Sequence, residues 1–199
     1  MGAITRTLDY FIKTFKFIPP DVSDEIVTEI KTCNWEEFLY SDLNNLDIST
    51  TVGNVIDQPQ SSYYTLQLNL NHQISEHLNI HINTAIKNYI DNFLHDMPWF
   101  SNWTDKSEIC WIKYTTNSNM INHCDHVHHM PEKIINGIPI LSIIGMLNND
   151  YEGGKLIFYD KEYKLKKGEI IVFPSNFLYP HKVTKITKGE RYSFVVWVW

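Results

Sequence analysis

Cysteine is scarce: Cys33, Cys110 and Cys124 are the only three in 199 residues, and no C-x-x-C pair occurs. An odd, scattered set of thiols excludes a disulfide-stapled secreted scaffold and a zinc ribbon, and fits a reducing compartment. Positive charge also falls short. Seventeen Lys and Arg against 23 Asp and Glu leave a net charge of −6 and a pI near 5.8. No basic field attracts a phosphate backbone, which disfavours a dedicated nucleic-acid binder. No apolar run approaches the ~18 residues a membrane span needs. The first residues lack the basic-then-apolar order of a signal peptide, and Arg6 stands where myristoylation asks for Ser or Thr. The expectation is a cytoplasmic protein with neither membrane nor nucleic acid among its partners. Alanine is almost missing, 2 residues against 25 Ile and 18 Asn. That bias follows AT-rich codons, so it is not read as a fold signal.

What is abundant is aromatic: 6 Trp, 11 Tyr and 10 Phe, which argues against disorder. The length fits a single domain over residues 1–199, large enough to bury roughly 70% of its unfolded surface without staples.

Hydropathy patterning divides the chain. Ser23 is a plausible N-cap for a helix over Asp24 to Lys31, with Ile26, Val27 and Ile30 on one face. A longer helix is expected over Ser75 to Phe93, where Leu78, Ile82, Ile86 and Ile90 recur at four-residue steps. Asn44 to Ser62 is polar and reads as a loop, and Tyr63 to Leu70 alternates as a strand would. After Asp105 the period becomes two. Strands are expected at Glu108–Tyr114, Pro139–Leu147, Lys155–Tyr159, Tyr163–Lys166, Glu169–Pro174, His181–Ile186 and Arg191–Trp199, separated by Gly- and Asn-rich turns. Helices first and short strands after give an α+β class with a β-sandwich or barrel and no βαβ alternation.

The chemistry-bearing residues fall in the strand-rich half. His123 and Asp125 form an H-x-D pair, and residues two apart on a strand face the same side. His181 follows 56 positions later. Two imidazoles and one carboxylate on one face of an octahedral ion leave open positions, the donor set of non-haem Fe(II) oxygenases. Arg191 and Ser193 share parity on the last strand, facing inward with Val195 and Trp197. A buried guanidinium needs an anionic partner and matches a carboxylate in two-point fashion. A dicarboxylate such as 2-oxoglutarate fits: one end on iron, the other on Arg191 and Ser193.

In this arrangement the chain resembles the iron(II)/2-oxoglutarate-dependent dioxygenases, and among them the prolyl 4-hydroxylase-like branch. The supporting text is Leu147-Asn148-Asn149-Asp150-Tyr151-Glu152-Gly153-Gly154, Gly168-Glu169-Ile170-Ile171-Val172-Phe173-Pro174-Ser175, and Gly189-Glu190-Arg191-Tyr192-Ser193. The resemblance runs from about Ile109 to Trp199. It implies a double-stranded β-helix (jelly-roll) core with the N-terminal helices packed on one face. It implies Fe(II), 2-oxoglutarate and O2, with ascorbate as an accessory, and hydroxylation of a C–H bond, foremost of prolyl residues in a peptide or protein. A free amino acid or other small molecule is the alternative substrate. Residue by residue, it makes His123, Asp125 and His181 the metal ligands and catalytic centre. It makes Arg191 the partner of the far carboxylate, Ser193 its helper, and Tyr114 an aromatic lining the co-substrate pocket. A further co-substrate residue carried by some relatives has no clear counterpart; Ser142 or Leu147 is expected near it.

Two other patterns compete. His126, His128 and Glu132 match the H-x-H-x-x-x-E motif of cupins, a non-catalytic jelly-roll alternative, but Asn176 and Tyr179 stand where that family wants Gly and His. His126, His128 and His129 read more plainly as a solvated loop. The Trp99-Phe100…Trp103 cluster reads as packing rather than a substrate platform.

Overall fold

The structure, a computed structural model, describes residues 7–41, 60–66, 72–97, 105–125 and 138–199. A 3-10 turn (Leu8–Phe11) leads into β1 (Lys13–Lys16), α1 (Pro20–Ile30), β2 (Glu36–Ser41), β3 (Gln60–Leu66) and α2 (His72–Phe93). Strands follow: β4 (Cys110–Tyr114), β5 (Met120–His123), β6 (Leu141–Met146), β7 (Tyr151–Gly153), β8 (Leu156–Phe158) and β9 (Lys161–Tyr163). The last four are β10 (Glu169–Pro174), β11 (His181–Val183), β12 (Ile186–Gly189) and β13 (Arg191–Val198). They form a seven-stranded sheet in the order β1-β10-β6-β13-β4-β3-β2, a four-stranded sheet β5-β11-β8-β9, and the pair β12-β7.

The large sheet separates two cores, and alternation along its strands explains why. Trp111, Ile143, Val172 and Phe194 share one buried cluster with Ile26 and Ile30 of α1 and Leu78, Ile82 and Ile86 of α2. Their neighbours of opposite parity, Tyr114, Met146, Ile171 and Phe173, share a second cluster with Leu156, Phe158 and Val183 of the smaller sheet. Two antiparallel sheets closing over this second core make a jelly-roll arrangement. β10 and β13 are thus buried on both faces, so they read as continuous apolar runs rather than as clean alternation.

Local chemistry moved several expected boundaries. The first helix starts at Pro20, with Pro19 as N-cap, because proline suits the first helical position. Ser23 therefore lies inside the helix, where its hydroxyl donates to the Pro19 carbonyl at 3.3 Å. α2 begins at His72, three residues before the expected Ser75. The loop expected to reach Ser62 gives way to β3 at Gln60, which ends at Leu66; residues 42–59 and 67–71 lie outside the described residues. The strand expected over Tyr163–Lys166 ends at Tyr163, because β9 pairs back on β8 as a hairpin. The single strand expected over His181–Ile186 is two: β11 pairs with β5 and β8, then the chain crosses to pair β12 with β7. β1, β2, β5 and β7 were not expected; β1, β5 and β7 are four residues or fewer, too few to show a period.

One packing point is sharp enough to test. Gly145 of β6 lies opposite Phe194 of β13, and a Cβ at Gly145 would fall 2.1 Å from the Phe194 ring. Gly145→Ala is expected to destabilise the fold by about 1–3 kcal/mol through overpacking. The urea midpoint should drop with the slope unchanged; a midpoint equal to the parent's would show that the ring gives way freely.

Candidate active site

His123 is the last residue of β5 and pairs in register with His181, the first residue of β11. Their rings sit 4.3 Å apart between centroids. Asp125 lies two residues beyond His123, past the end of β5, so the H-x-D pair straddles a strand end instead of lying within a strand. The turn still brings the carboxylate in: Asp125 Oδ1 is 3.4 Å from His123 Nε2 and 3.7 Å from His181 Nε2. One ligand atom from each of the three residues lies within 4.8 Å of the others.

Hydrogen bonds fix what these rings offer. His123 Nδ1 sits 2.9 Å from the Ile121 carbonyl, and His181 Nδ1 sits 3.1 Å from that of Tyr179. A carbonyl only accepts, so each Nδ1 carries a hydrogen, and a ring in its neutral form turns a lone pair at Nε2 toward Asp125. Two lone pairs and an anionic oxygen facing one another repel unless a cation lies among them. Asp125 Oδ2 is also buried without a hydrogen-bond partner. This donor set fits a divalent first-row metal such as Fe(II).

Burial pushes Asp125 upward, but His181 and His123 outweigh it and hold the carboxyl well below the usual range. The Ser142 hydroxyl lies near enough to assist, without closing a bond to Oδ2. Burial, aided by His123, pulls His181 down to about 4, so it stays neutral at pH 7. For His123, burial opposes protonation, but Asp125 outweighs it and the net direction is up, so a proton on Nε2 competes with a metal for the place facing the carboxylate. His181 is walled in by Phe158 and Phe173, with ring centroids 5.3 and 4.9 Å away, two neighbours that spacing alone did not reveal.

Arg191 opens β13 and is 1% exposed. Its Nη1 donates to Ser193 Oγ at 2.7 Å, and its Cζ sits 5.0 Å over the Tyr114 ring, the Cα partner across β4. Burial pushes the Tyr114 hydroxyl up to about 12, against the pull of Arg191. Arg191 Nε has no hydrogen-bond partner, and among the described residues no carboxylate lies within ion-pair distance of this guanidinium.

Residues 110–199 match the family model of the 2OG-Fe(II) oxygenase superfamily. In sequence, this half of the chain is similar to the 2OG-Fe(II) oxygenases. It is similar to a PKHD-type hydroxylase of Alteromonas mediterranea, 29% identical over 97 residues, covering 45% of this chain and 42% of that protein. The chain spans less than half the length of the curated relatives it matches. Among solved structures, its fold is similar to the viral collagen prolyl hydroxylase vCPH from Paramecium Bursaria Chlorella virus-1, with a TM-score of 0.63 at 13% identity over 94% of both chains. It is also similar to a prolyl hydroxylase from Trichoplax adhaerens in complex with a hypoxia inducible factor peptide, TM-score 0.64 at 13% identity, covering 96% of this chain and 84% of that one. The 2OG-Fe(II) oxygenases use Fe(II), 2-oxoglutarate and O2, and the matched residues of this chain contain a His-x-Asp…His triad of the kind such use requires.

Of the remaining expected positions, Ser142 lies on the site side, where its hydroxyl meets that of Ser175 at 2.7 Å. Leu147 belongs to the opposite, helix-side cluster. His126, His128, His129 and Glu132, and Trp99, Phe100 and Trp103, lie outside the described residues. Among those described, no helix is long and apolar enough to cross a membrane.

Proposed function

We propose that this chain is an Fe(II)- and 2-oxoglutarate-dependent dioxygenase that hydroxylates a C–H bond, foremost of a prolyl residue in a peptide or protein. The observation that carries the reading is Arg191: a fully buried cation with an unpartnered Nε, on the same side of the large sheet as the triad, with no carboxylate partner among the described residues. A buried guanidinium in that state is matched by an anionic ligand.

In this reading His123, Asp125 and His181 hold the ferrous ion, and Arg191 with Ser193 grips the far carboxylate of 2-oxoglutarate while Tyr114 lines its flank. The ion supplies O2 activation coupled to decarboxylation of the co-substrate to succinate. The chain's own residues do the positioning. The two Nδ1–H donors to backbone carbonyls keep both imidazoles in the ligating tautomer. Phe158 and Phe173 exclude water from behind His181. Arg191 sets which 2-oxo acid is accepted, since only a dicarboxylate completes its charge.

The prolyl assignment is supported by the resemblance to PKHD-type and prolyl hydroxylases, a likeness of family and fold. The deciding assay is succinate release with a panel of proline-containing peptides, against free proline and small organic acids. Turnover above the uncoupled background is expected with peptides alone. Coupled turnover only with free proline or a small acid would overturn the peptide assignment and leave the dioxygenase reading in place.

A further inference from the structure

We propose that the hydroxyl of Tyr151 is a third donor to the far carboxylate of the co-substrate, beside Arg191 and Ser193. The inference rests on the reading above, that this pocket takes a dicarboxylic 2-oxo acid.

Tyr151 opens β7 and packs in the core between the sheets. Its hydroxyl is buried and donates to Met146 Sδ at 3.3 Å. A thioether is a weak acceptor, and a buried phenol ordinarily finds a better one. Met146 is the Cα partner of Ser193 across β6 and β13, and Ser193 Oγ in turn receives Arg191 Nη1. The tyrosine hydroxyl therefore ends against the residue that lies beside the Arg191–Ser193 pair.

Gly154 ties the two side chains together from the other direction. A Cβ at Gly154 would lie 2.9 Å from Arg191 Cδ and 3.1 Å from Tyr151 Cε2, so both side chains pass close to one backbone position. Its φ of +59° and this crowding both call for glycine. Arg191 Nε, Ser193 Oγ and Tyr151 Oη thus border one region that holds fixed positive charge and no described anion. When a carboxylate enters, the O–H swings from sulfur to oxygen by rotation about one bond, with the ring left in place. A hydrogen bond to an anion is shorter and stronger than the one to sulfur it replaces.

The test is equilibrium binding to the Fe(II)-loaded chain without oxygen, read by the visible charge-transfer band of the bound 2-oxo acid. Two ligands are compared: 2-oxoglutarate, and 2-oxobutanoate, which has the same chelating end and no far carboxylate. Tyr151→Phe keeps the ring and its packing. It is expected to weaken 2-oxoglutarate roughly tenfold, the effect of losing one charge-assisted hydrogen bond, and to leave 2-oxobutanoate unchanged. Equal weakening of both ligands would assign Tyr151 a packing role and overturn the proposal, as would unchanged affinity for both. If the parent chain itself fails to prefer 2-oxoglutarate over 2-oxobutanoate, the dicarboxylate reading fails and takes this inference with it. A parent that discriminates, with a Tyr151→Phe variant that does so equally well, refutes the inference alone.

Discussion

His123→Ala and Asp125→Ala should each abolish ferrous binding and, with it, 2-oxoglutarate turnover. Each removes one of three donors that converge within 4.8 Å, and the two left cannot enclose an ion on one face. The loss should exceed the roughly 10- to 100-fold drop in metal affinity typical of removing an outer partner. It is read in two ways. Anaerobic dialysis gives iron content, and thermal melting gives the stabilisation that binding adds to the folded state. The parent's melting temperature should rise with added Fe(II), and the variants' should not. Simultaneous replacement of His126, His128 and His129 is the contrast, expected to leave iron content intact. Retention of parental metal affinity by both single variants would reject the triad. Loss of metal in the triple variant, with retention in His123→Ala, would favour the cupin-like alternative.

Truncating Arg191 should separate binding from stability. Removing one member of a buried, hydrogen-bonded charge pair costs about 2–5 kcal/mol, so Arg191→Ala should weaken 2-oxoglutarate by at least roughly 30-fold. Metal affinity should stay near the parent's, since Arg191 makes no contact with the three ligands among its described partners. The ligand-free chain should respond differently. There the guanidinium is buried with Nε unpartnered and no described carboxylate within reach, a cost rather than a gain. Arg191→Met, which fills much of the same volume without the charge, should therefore be at least as stable as the parent by urea denaturation while binding 2-oxoglutarate no better than Arg191→Ala. A severe loss of stability in Arg191→Met together with unchanged co-substrate affinity would make Arg191 a structural residue.

Much of the site was legible in the linear text, for a physical reason. His123 and Asp125 are close in sequence, so their convergence needs only a local backbone path. Arg191 and Ser193 are set on one face by strand parity, which β13 keeps. His181 was reached through the surrounding motif rather than from spacing, because a gap of dozens of residues has no geometric content until the strands pair. Elements whose apolar stripe faces a single core, α1 and α2, were likewise legible, though their starts were not. Pro20 displaced Ser23 as the starting signal because proline's fixed φ already satisfies the first helical position.

Residue order by itself determined which side chains offer metal donors and which share a face, since both follow from residue type and chain geometry over a few bonds. Only the tertiary structure decided that His123 meets His181 in register, that Phe158 and Phe173 wall the second histidine, and that Tyr151 reaches the neighbourhood of Arg191. Those pairings depend on which strands neighbour one another and where the chain leaves β11 for β12. That choice is made by burying two cores at once, a property of the whole packed chain that no short window of sequence contains.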